Sequence, residues 1–180
     1  MHGRFLIGVT GPPGSGKTTA VELAAEILRK EGRAVAGILT REVRLAGKRI
    51  GFDIIDIETS QAAPLARESA ELGPRVGRYR VYVENLDGYA VGLVSRAIES
   101  GAVVIVDEVG PMELMSPRFR DILRRVLSEA REGILTLHFF SRDPLVVEIR
   151  SAVDKLITLR RGDARRAADE VARLLLRGER

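Results

Sequence analysis

Residues 11–18 read GPPGSGKT and bring together residue types that can hold a chain of phosphate groups. The stretch matches the pattern G-x-x-x-x-G-K-[ST], in which glycines let backbone N–H groups turn inward toward negative charge. A helix that begins here would add the partial positive charge of its N-terminus. A simple Gly-Pro turn would explain the glycines but not the lysine and threonine that follow. The sequence therefore predicts a phosphate-binding loop for a nucleoside triphosphate.

The polar residues of this loop have separate expected roles. We expect Lys17 to bridge the β- and γ-phosphates and to act in catalysis. The Thr18 hydroxyl should ligate Mg²⁺, which prefers oxygen ligands. Thr19 should support the α-phosphate or cap the turn. The predicted nucleotide-binding residues of the loop are Gly11, Pro12, Pro13, Gly14, Ser15, Gly16, Lys17, Thr18 and Thr19.

Two carboxylates end a second apolar run, VVIVDE at residues 103–108. Asp107 stands where a P-loop protein holds its magnesium, directly or through a water, so Thr18 and Asp107 are the predicted metal ligands. Neighbouring side chains of a strand point oppositely, so Glu108 needs another role. At the strand tip it can turn toward the γ-phosphate and polarise a water as catalytic base. The predicted nucleotide-binding residues of this segment are Val103, Val104, Ile105, Val106, Asp107, Glu108, Val109 and Gly110.

The acidic pair also bears on the type of reaction. Acidic residues at strand ends are often only loop-facing. Beside a P-loop, however, the metal needs an acidic partner, and this is the one predicted buried strand that ends in Asp. A small-molecule kinase excludes water and usually lacks a water-activating glutamate, so Glu108 favours hydrolysis.

Apolar runs of strand length alternate with helical patterns along nearly the whole chain. Residues 5–10 read as a buried strand that leads into the loop, and apolar spacing predicts a helix over residues 17–31. We therefore expect one P-loop NTPase domain over residues 1–180, an α/β fold of three layers with a mainly parallel sheet. Further strands are predicted at 34–43, 49–57, 79–84, 102–106, 134–139 and 155–159, and further helices at 86–100, 117–132, 144–151 and 163–176.

Two segments interrupt this alternation. Residues 34–43 and 49–57 flank a turn and read as an antiparallel hairpin at one edge of the sheet. Residues 59–77 show no clear period and are predicted as a loop with a short helix. Asp163 is the predicted N-cap of the last helix.

The composition limits the class of protein. The chain has 180 residues, of which 45% are hydrophobic, enough for one well-cored domain. It has no cysteine, which excludes disulfides and thiolate metal sites. Because no segment reads as a signal peptide or a membrane span, we expect a cytoplasmic protein without a membrane partner.

A basic balance raises the question of nucleic acid. The net charge is +4 and the pI is about 9.8. The arginines are spread along the chain and alternate with Glu and Asp, which is typical of solvated helix faces. Nucleic acid is therefore a possible partner but not a favoured one. The sequence leaves the oligomeric state open.

Three blocks of the sequence resemble a known family. GPPGSGKTT, the segment at residues 37–57 and VDEVGPMEL at residues 106–114 are similar to the small P-loop nucleoside-triphosphatases first described in thermophiles, which have a cancer-related relative in animals. The residues that follow that family's T-x-E-V-R and G-x-R-x-G-F pattern are Thr40, Glu42, Val43, Arg44, Gly47, Arg49, Gly51 and Phe52.

This resemblance implies hydrolysis of ATP, GTP and other nucleoside triphosphates with broad base tolerance and a Mg²⁺ requirement. It implies a RecA-like sheet, in which residues 134–139 form a strand between the P-loop strand and the Asp107 strand. The catalytic glutamate of the family corresponds to Glu108. His138 corresponds to the polar residue that members carry after that strand, although LTLHFF here replaces their smaller Ala-Thr-Val-His stretch.

Several charged residues have two interpretations. Arg44 contacts phosphate or orders the site, and it is otherwise an edge-strand cation. Arg41 and Arg49 are best interpreted as cations that discourage edge-to-edge aggregation. His138 senses the γ-phosphate or is a hydrogen-bonded, partly buried histidine. The candidates for stabilising charge in the transition state are Arg142, Arg160 and Arg161.

Two other functions remain open beside hydrolysis. One is a nucleotide or nucleoside kinase, against which no Arg-rich lid segment stands out, although residues 59–80 could contain one. The other is a binding module in which nucleotide turnover drives a nucleic-acid or protein partner. Salt-dependent RNA or DNA binding would support the second of these.

Overall fold

A nine-stranded mixed sheet forms the centre of the fold in the computed structural model, which describes residues 3–178. Its strands are β1 (Phe5–Gly11), β2 (Val35–Leu45), β3 (Lys48–Asp56), β4 (Ala62–Arg67), β5 (Arg75–Val76), β6 (Tyr79–Val81), β7 (Val103–Val109), β8 (Glu132–His138) and β9 (Lys155–Thr158). The helices are α1 (Lys17–Lys30), α2 (Val83–Asn85), α3 (Val91–Ser100), α4 (Pro117–Glu129), α5 (Pro144–Ala152) and α6 (Ala164–Arg177). A π-helical turn at Leu86–Ala90 joins α2 to α3, and a 3₁₀ turn lies at Glu113–Met115.

The strand order separates a parallel half of the sheet from an antiparallel half. β2, β7, β8, β1 and β9 pair in parallel in that order. On the outer side of β2, the strands β3, β4, β6 and β5 pair antiparallel, and we call these four strands the antiparallel extension. β8 lies between the P-loop strand β1 and the Asp107 strand β7. The α/β prediction and the implied RecA-like strand order are therefore confirmed.

The antiparallel extension is wider than the predicted edge hairpin. The hairpin forms, with a two-residue turn at Ala46 and Gly47, but β4 covers the outer side of β3. The short helix predicted within residues 59–77 is wrong, because β4 and β5 lie there. Residues 59–77 have no strong period of their own, so their structure is decided by the partners they meet. The outer side of β3 offers backbone hydrogen bonds, and β4 forms by accepting them.

The last helix has Asp163 at the predicted N-cap position but lacks the side-chain hydrogen bond of a cap. Asp163 occupies the N-cap position, but its carboxylate accepts the Arg160 N–H at 3.0 Å rather than an N–H of the helix. Its backbone angles, φ −84° and ψ −5°, are near-helical. A capping side chain reaches the helix N–H groups from an extended backbone, so this conformation redirects the carboxylate.

Two apolar layers enclose the sheet. α1 and α6 cover one face, and α3, α4 and α5 cover the other. Side chains of β7 alternate between them, with Val104 and Val106 in one layer and Val103 and Ile105 in the other. Burial on both faces fixes the position of the carboxylates that end this strand. Within residues 3–178, none of the helices combines the length and apolarity needed to cross a bilayer.

Candidate active site

The loop between β1 and α1 forms the first wall of the site. Gly11, Gly14 and Gly16 have φ values of +150°, +76° and +95°, which other residues rarely adopt. At Gly11 a Cβ atom would lie 2.6 Å from the Leu159 carbonyl oxygen and 2.7 Å from the Ser15 hydroxyl. The loop therefore has the curled backbone that its residue types predict, and Gly11 has no room for a side chain.

Two polar side chains of the loop fit a phosphate ligand. The Lys17 ammonium lies over the loop and donates to the carbonyl oxygens of Gly11 at 2.8 Å and Pro12 at 3.4 Å. The Ser15 hydroxyl is buried and has no hydrogen-bond partner among residues 3–178. A buried hydroxyl without a partner is uncommon in proteins, and a ligand oxygen would satisfy it. The loop thus offers both a cation and an unpaired polar group.

The Asp107 carboxylate, which is fully buried, accepts hydrogen bonds from three neighbouring elements, two from hydroxyl groups and one from a backbone N–H. Thr18 of α1 donates to one carboxylate oxygen at 2.9 Å, and Thr136 of β8 donates to the other at 2.6 Å. Thr40 of β2 donates its hydroxyl to the Asp107 carbonyl oxygen at 2.7 Å and its N–H to the carboxylate at 3.3 Å. Burial raises the pKa of Asp107 to about 6, while the Thr136 and Thr18 hydrogen bonds act in the opposite direction.

The contact between Thr18 and Asp107 also fits the predicted metal. A hydroxyl and a carboxylate oxygen lie side by side, and both are hard oxygen ligands of the type that Mg²⁺ prefers. Residues 3–178 contain no group of three or more His, Cys, Asp or Glu that could hold a metal alone. This pattern suits Mg²⁺, which usually keeps several waters and takes phosphate oxygens as further ligands.

Glu108 borders the same cavity as Lys17 and Thr18. The peptide bond between Asp107 and Glu108 is cis. Burial raises the pKa of Glu108, and the positive charge of Lys17 partly offsets this rise. Glu108 is therefore a shielded carboxyl group near the charge of Lys17, and a carboxyl group in this setting can accept a proton.

A second buried acid, Glu113, escaped the sequence analysis. It lies in the 3₁₀ turn after β7 and is only 5% exposed. A Cβ atom at Gly110 would meet Glu108 Oε1 at 3.0 Å and Glu113 Oε2 at 3.2 Å, so the two carboxyl groups converge there. Burial raises the pKa of Glu113 well above its ordinary value, and the charges of Glu108 and Asp107 add to the rise. The one feature of the sequence that points to Glu113 is its position within the block VDEVGPMEL, which resembles the family.

His138 ends β8 and borders the cavity. Its register partner on the P-loop strand is Gly11, which brings the ring beside the loop. The Nδ1 atom is buried without a hydrogen-bond partner among the described residues. Burial lowers the pKa of His138, and the charges of Lys17 and Arg150 lower it further, so the ring favours its neutral form. This geometry suits a group that contacts phosphate, and it differs from the alternative of a hydrogen-bonded histidine.

The cavity holds about 500 Å³, and its second wall comes from the sheet beyond β7. We call Arg41, Glu42, Arg49 and Phe52, all on β2 and β3, the hairpin wall; they face the P-loop across this cavity. Two of these residues are the arginines that the sequence predicted as edge-strand cations. The predicted edge position is wrong for both residues. Arg41 lies on β2 and Arg49 on β3, and neither strand is at an edge of the sheet. Both side chains border the cavity.

Other predicted residues do not border this cavity. Arg44 lies at the hairpin tip, where it donates to Glu42 at 2.8 Å and to the Gly47 carbonyl oxygen at 2.9 Å. The buried residues of β7 lie inside the sheet, where they position Asp107. The predicted residues that do not border the cavity are Gly11, Pro12, Ser15, Arg44, Val103, Val104, Ile105, Val106, Asp107, Val109, Gly110, Arg142, Arg160 and Arg161.

Comparison with known proteins places this geometry in one family. A profile of the family described as NTPase matches residues 6–171. The chain is 45% identical to the nucleoside-triphosphatase THEP1 of Methanopyrus kandleri, over 84% of this chain and 83% of that protein. It superimposes on the crystal structure of THEP1 from Aquifex aeolicus with a TM-score of 0.83 and 31% identity, over 98% of this chain and 100% of the other. The solution structure of a human cancer-related nucleoside triphosphatase gives a TM-score of 0.81 at 31% identity, over 98% and 99%.

Proposed function

This chain belongs to the NTPase family and is a nucleoside-triphosphatase, and we propose that it cleaves the γ-phosphate from ATP, GTP and other nucleoside triphosphates with Mg²⁺ as cofactor. The observation that carries this proposal is the convergence of Thr18, Asp107 and Glu108 where α1 begins and β7 ends. Thr18 and Glu108 border the cavity, and the buried Asp107 carboxylate is hydrogen-bonded to the Thr18 hydroxyl at 2.9 Å, so a metal site and a base would lie side by side.

The P-loop side of the cavity binds and orients the triphosphate. Lys17 exchanges its contacts with the Gly11 and Pro12 carbonyl oxygens for the β- and γ-phosphates. Thr18 and Asp107 would hold the magnesium ion, which when bound supplies positive charge to the phosphate oxygens. Fixed charges of this kind stabilise a transition state because they need no rearrangement during the reaction.

The strand-end carboxyl activates the nucleophile. Glu108 accepts a proton from the attacking water, whose oxygen forms the new bond to the γ-phosphorus as the bond to the β,γ-bridging oxygen breaks. The burial that raises the pKa of Glu108 makes it a better proton acceptor, and Lys17 keeps that rise limited. His138, which borders the cavity at the end of β8, contacts the γ-phosphate.

Broad base tolerance follows from where these contacts lie. The binding groups of the loop and of β7 address phosphates, and none of them reads the edge of a base. We therefore expect ATP, GTP, CTP and UTP to be hydrolysed with kcat/KM values within about tenfold of one another, a spread of about 1.4 kcal/mol.

The metal requirement gives the first test. Phosphate release should depend on Mg²⁺ and be abolished by excess chelator. Thr18→Ala should raise the Mg²⁺ concentration for half-maximal rate by at least about tenfold, since it removes a direct oxygen ligand. Thr59→Ala removes a hydroxyl that donates to Asp56 away from this cavity; it is the control and should leave that Mg²⁺ requirement within about twofold of wild type. Equal Mg²⁺ requirements in the two variants would contradict the assignment of Thr18.

A further inference from the structure

The segment that joins β9 to α6 lies against the side of the P-loop. The carbonyl oxygen of Leu159, which follows β9, is 2.6 Å from the position that a Cβ of Gly11 would take. Ala164 is the first residue of α6, and its Cβ is 3.1 Å from the position that a Cβ of Gly16 would take. Both ends of this segment therefore contact the loop, and we call residues 160–163 between them the β9–α6 turn.

The strand order gives the direction of a bound triphosphate. At the carboxyl edge of the sheet, β7, β8, β1 and β9 end side by side in that order, about 4.8 Å apart. Under the proposed function the γ-phosphate lies where β7 and β8 end, beside Glu108 and His138. The γ-phosphate is the terminal group of the chain of phosphates, so the nucleoside end points away from β7 and toward β9. The hairpin wall, on β2 and β3, lies on the opposite side of the P-loop.

The β9–α6 turn presents two guanidinium groups at this place. The side chains of Arg160 and Arg161 are exposed and form no hydrogen bond or ion pair within residues 3–178. The backbone beneath them is fixed, because the Asp163 carboxylate accepts the Arg160 N–H at 3.0 Å. A Cβ at Gly162, where φ is +92°, would meet nothing within 4 Å. The turn therefore has a defined backbone and an open outer side.

A planar cation without a protein partner suits a flat heterocycle. Guanidinium groups stack on aromatic faces, and every nucleic-acid base has such a face. Stacking does not depend on the donors and acceptors at the edge of the base, so it holds purines and pyrimidines alike. This chemistry agrees with the broad base tolerance proposed above.

We propose that the β9–α6 turn is the binding site for the base of the nucleoside triphosphate, with the guanidinium groups of Arg160 and Arg161 stacking on its ring. The bound nucleotide then spans the P-loop from Glu108 at the end of β7 to this turn at the end of β9. Purine and pyrimidine nucleotides bind in the same way. This inference rests on the proposed function, because the position of the γ-phosphate gives the direction of the nucleotide.

Calorimetry on the full chain with Mg²⁺ tests the site by comparing two ligands, a non-hydrolysable ATP analogue and inorganic tripolyphosphate, which has no base. The double variant Arg160→Ala with Arg161→Ala should bind the ATP analogue at least about fivefold more weakly, the effect of losing one stacked base. It should bind tripolyphosphate within about twofold of wild type at 0.15 M salt, where exposed charges more than about 8 Å away are screened. Equal losses for the two ligands, or an unchanged affinity for the ATP analogue, would overturn the proposal.

Two further variants separate the turn from other parts of the protein. Arg131→Ala is the matched control, since Arg131 is an exposed arginine directly before β8, at the opposite edge of the sheet. It should leave both affinities within about twofold of wild type. A larger loss of ATP-analogue affinity in Phe52→Leu than in the double variant would place the base at the hairpin wall and overturn the proposal.

Hydrolysis is measured separately, so that the two proposals can fail independently. In the double variant the KM for ATP, GTP, CTP and UTP should rise by at least about fivefold, while kcat stays within about twofold of wild type. Wild-type protein that binds the ATP analogue but releases no phosphate from ATP would overturn the proposed function, and the calorimetric comparison would still decide the base site. An unchanged KM in the double variant beside normal wild-type turnover would overturn the base site alone.

Discussion

The parallel half of the sheet buries its polar groups in hydrogen bonds, whereas the antiparallel extension leaves its polar groups in half-exposed ion pairs. Asp107 and Thr136 are completely buried and bonded to each other at 2.6 Å. In the antiparallel extension, Lys48 of β3 pairs with Glu68, the residue after β4, at 3.4 Å, with 63% and 32% of their side chains exposed. Buried networks are costly to disturb, and exposed pairs contribute about 0–1 kcal/mol.

This difference predicts different responses to substitution. The polar groups of the parallel half have fixed, buried partners, so this half forms a rigid frame around Asp107. The ion pairs of the antiparallel extension break at low energetic cost. Substitutions in the first region should therefore reduce turnover and stability, and those in the second should change them little.

The largest expected contrast concerns two aspartates. Asp107→Ala removes a proposed metal ligand and leaves the Thr136 hydroxyl buried without its partner, so phosphate release should fall by about 10³-fold or more. Asp53→Ala removes the ion-pair partner of Arg67 in the antiparallel extension and should change the rate less than about threefold. Steady-state phosphate release measures both. Similar losses in the two variants would show that the regions are not separate.

A pair of glycines tests the same contrast through stability. Gly11→Ala places a Cβ 2.6 Å from a backbone carbonyl oxygen at a φ of +150°, and it should lower the free energy of unfolding by about 3 kcal/mol or more. Gly47→Ala, at the hairpin tip with φ +78° and nothing within 4 Å, should lower it by about 1 kcal/mol. Urea unfolding gives both values. An equal loss of unfolding free energy at Gly11 and Gly47 would show that the parallel half is no more rigid than the hairpin tip.

Two glutamates should give pH dependences of opposite sign. The pKa of Glu113 lies well above its ordinary value of 4.5, mainly through burial. Above pH 4.5 the unfolded chain loses this proton before the folded chain does, so the contribution of Glu113 to stability falls as pH rises. Hydrogen bonding to Arg49 lowers the pKa of Glu42, so its contribution is present above pH 4.5 and is lost on acidification. Exposure to solvent keeps the Glu42 effect small.

Urea unfolding between pH 3.5 and 8 measures these two effects. Glu113→Gln should remove part of the fall in stability above pH 4.5, and Glu42→Gln should remove a small part of the loss below it. The two variants serve as controls for each other. Parallel pH profiles for wild type and Glu113→Gln would show that Glu113 titrates as it does in water.

The loop and strand end that form the P-loop side of the candidate site could be predicted from the sequence because their signals are local. The glycines and the lysine of the loop lie within eight residues, and Asp107 directly ends a run of buried residues. The position of β8 was implied only by the family resemblance. Period and spacing define a strand, but they do not say which strand pairs with which.

The hairpin wall and Glu113 needed the structure. An alternating strand has two faces, and the sequence of β3 does not say which of them meets the P-loop. The sequence pattern therefore predicts an edge position for Arg49, whereas in the structure β4 pairs along that side of β3. Glu113 was missed because acids are rarely buried, and only the turn after β7 brings its carboxyl group toward Glu108.

The role of Glu108 is the central claim, and one substitution tests it most directly. Glu108→Gln keeps the shape of the side chain but removes the proton acceptor, so phosphate release should fall by at least about 100-fold. ATP affinity, measured by calorimetry, should stay within about threefold, since the P-loop contacts remain. Glu99→Gln on α3, away from the cavity, is the control and should behave as wild type. Turnover of Glu108→Gln close to wild type would contradict the account.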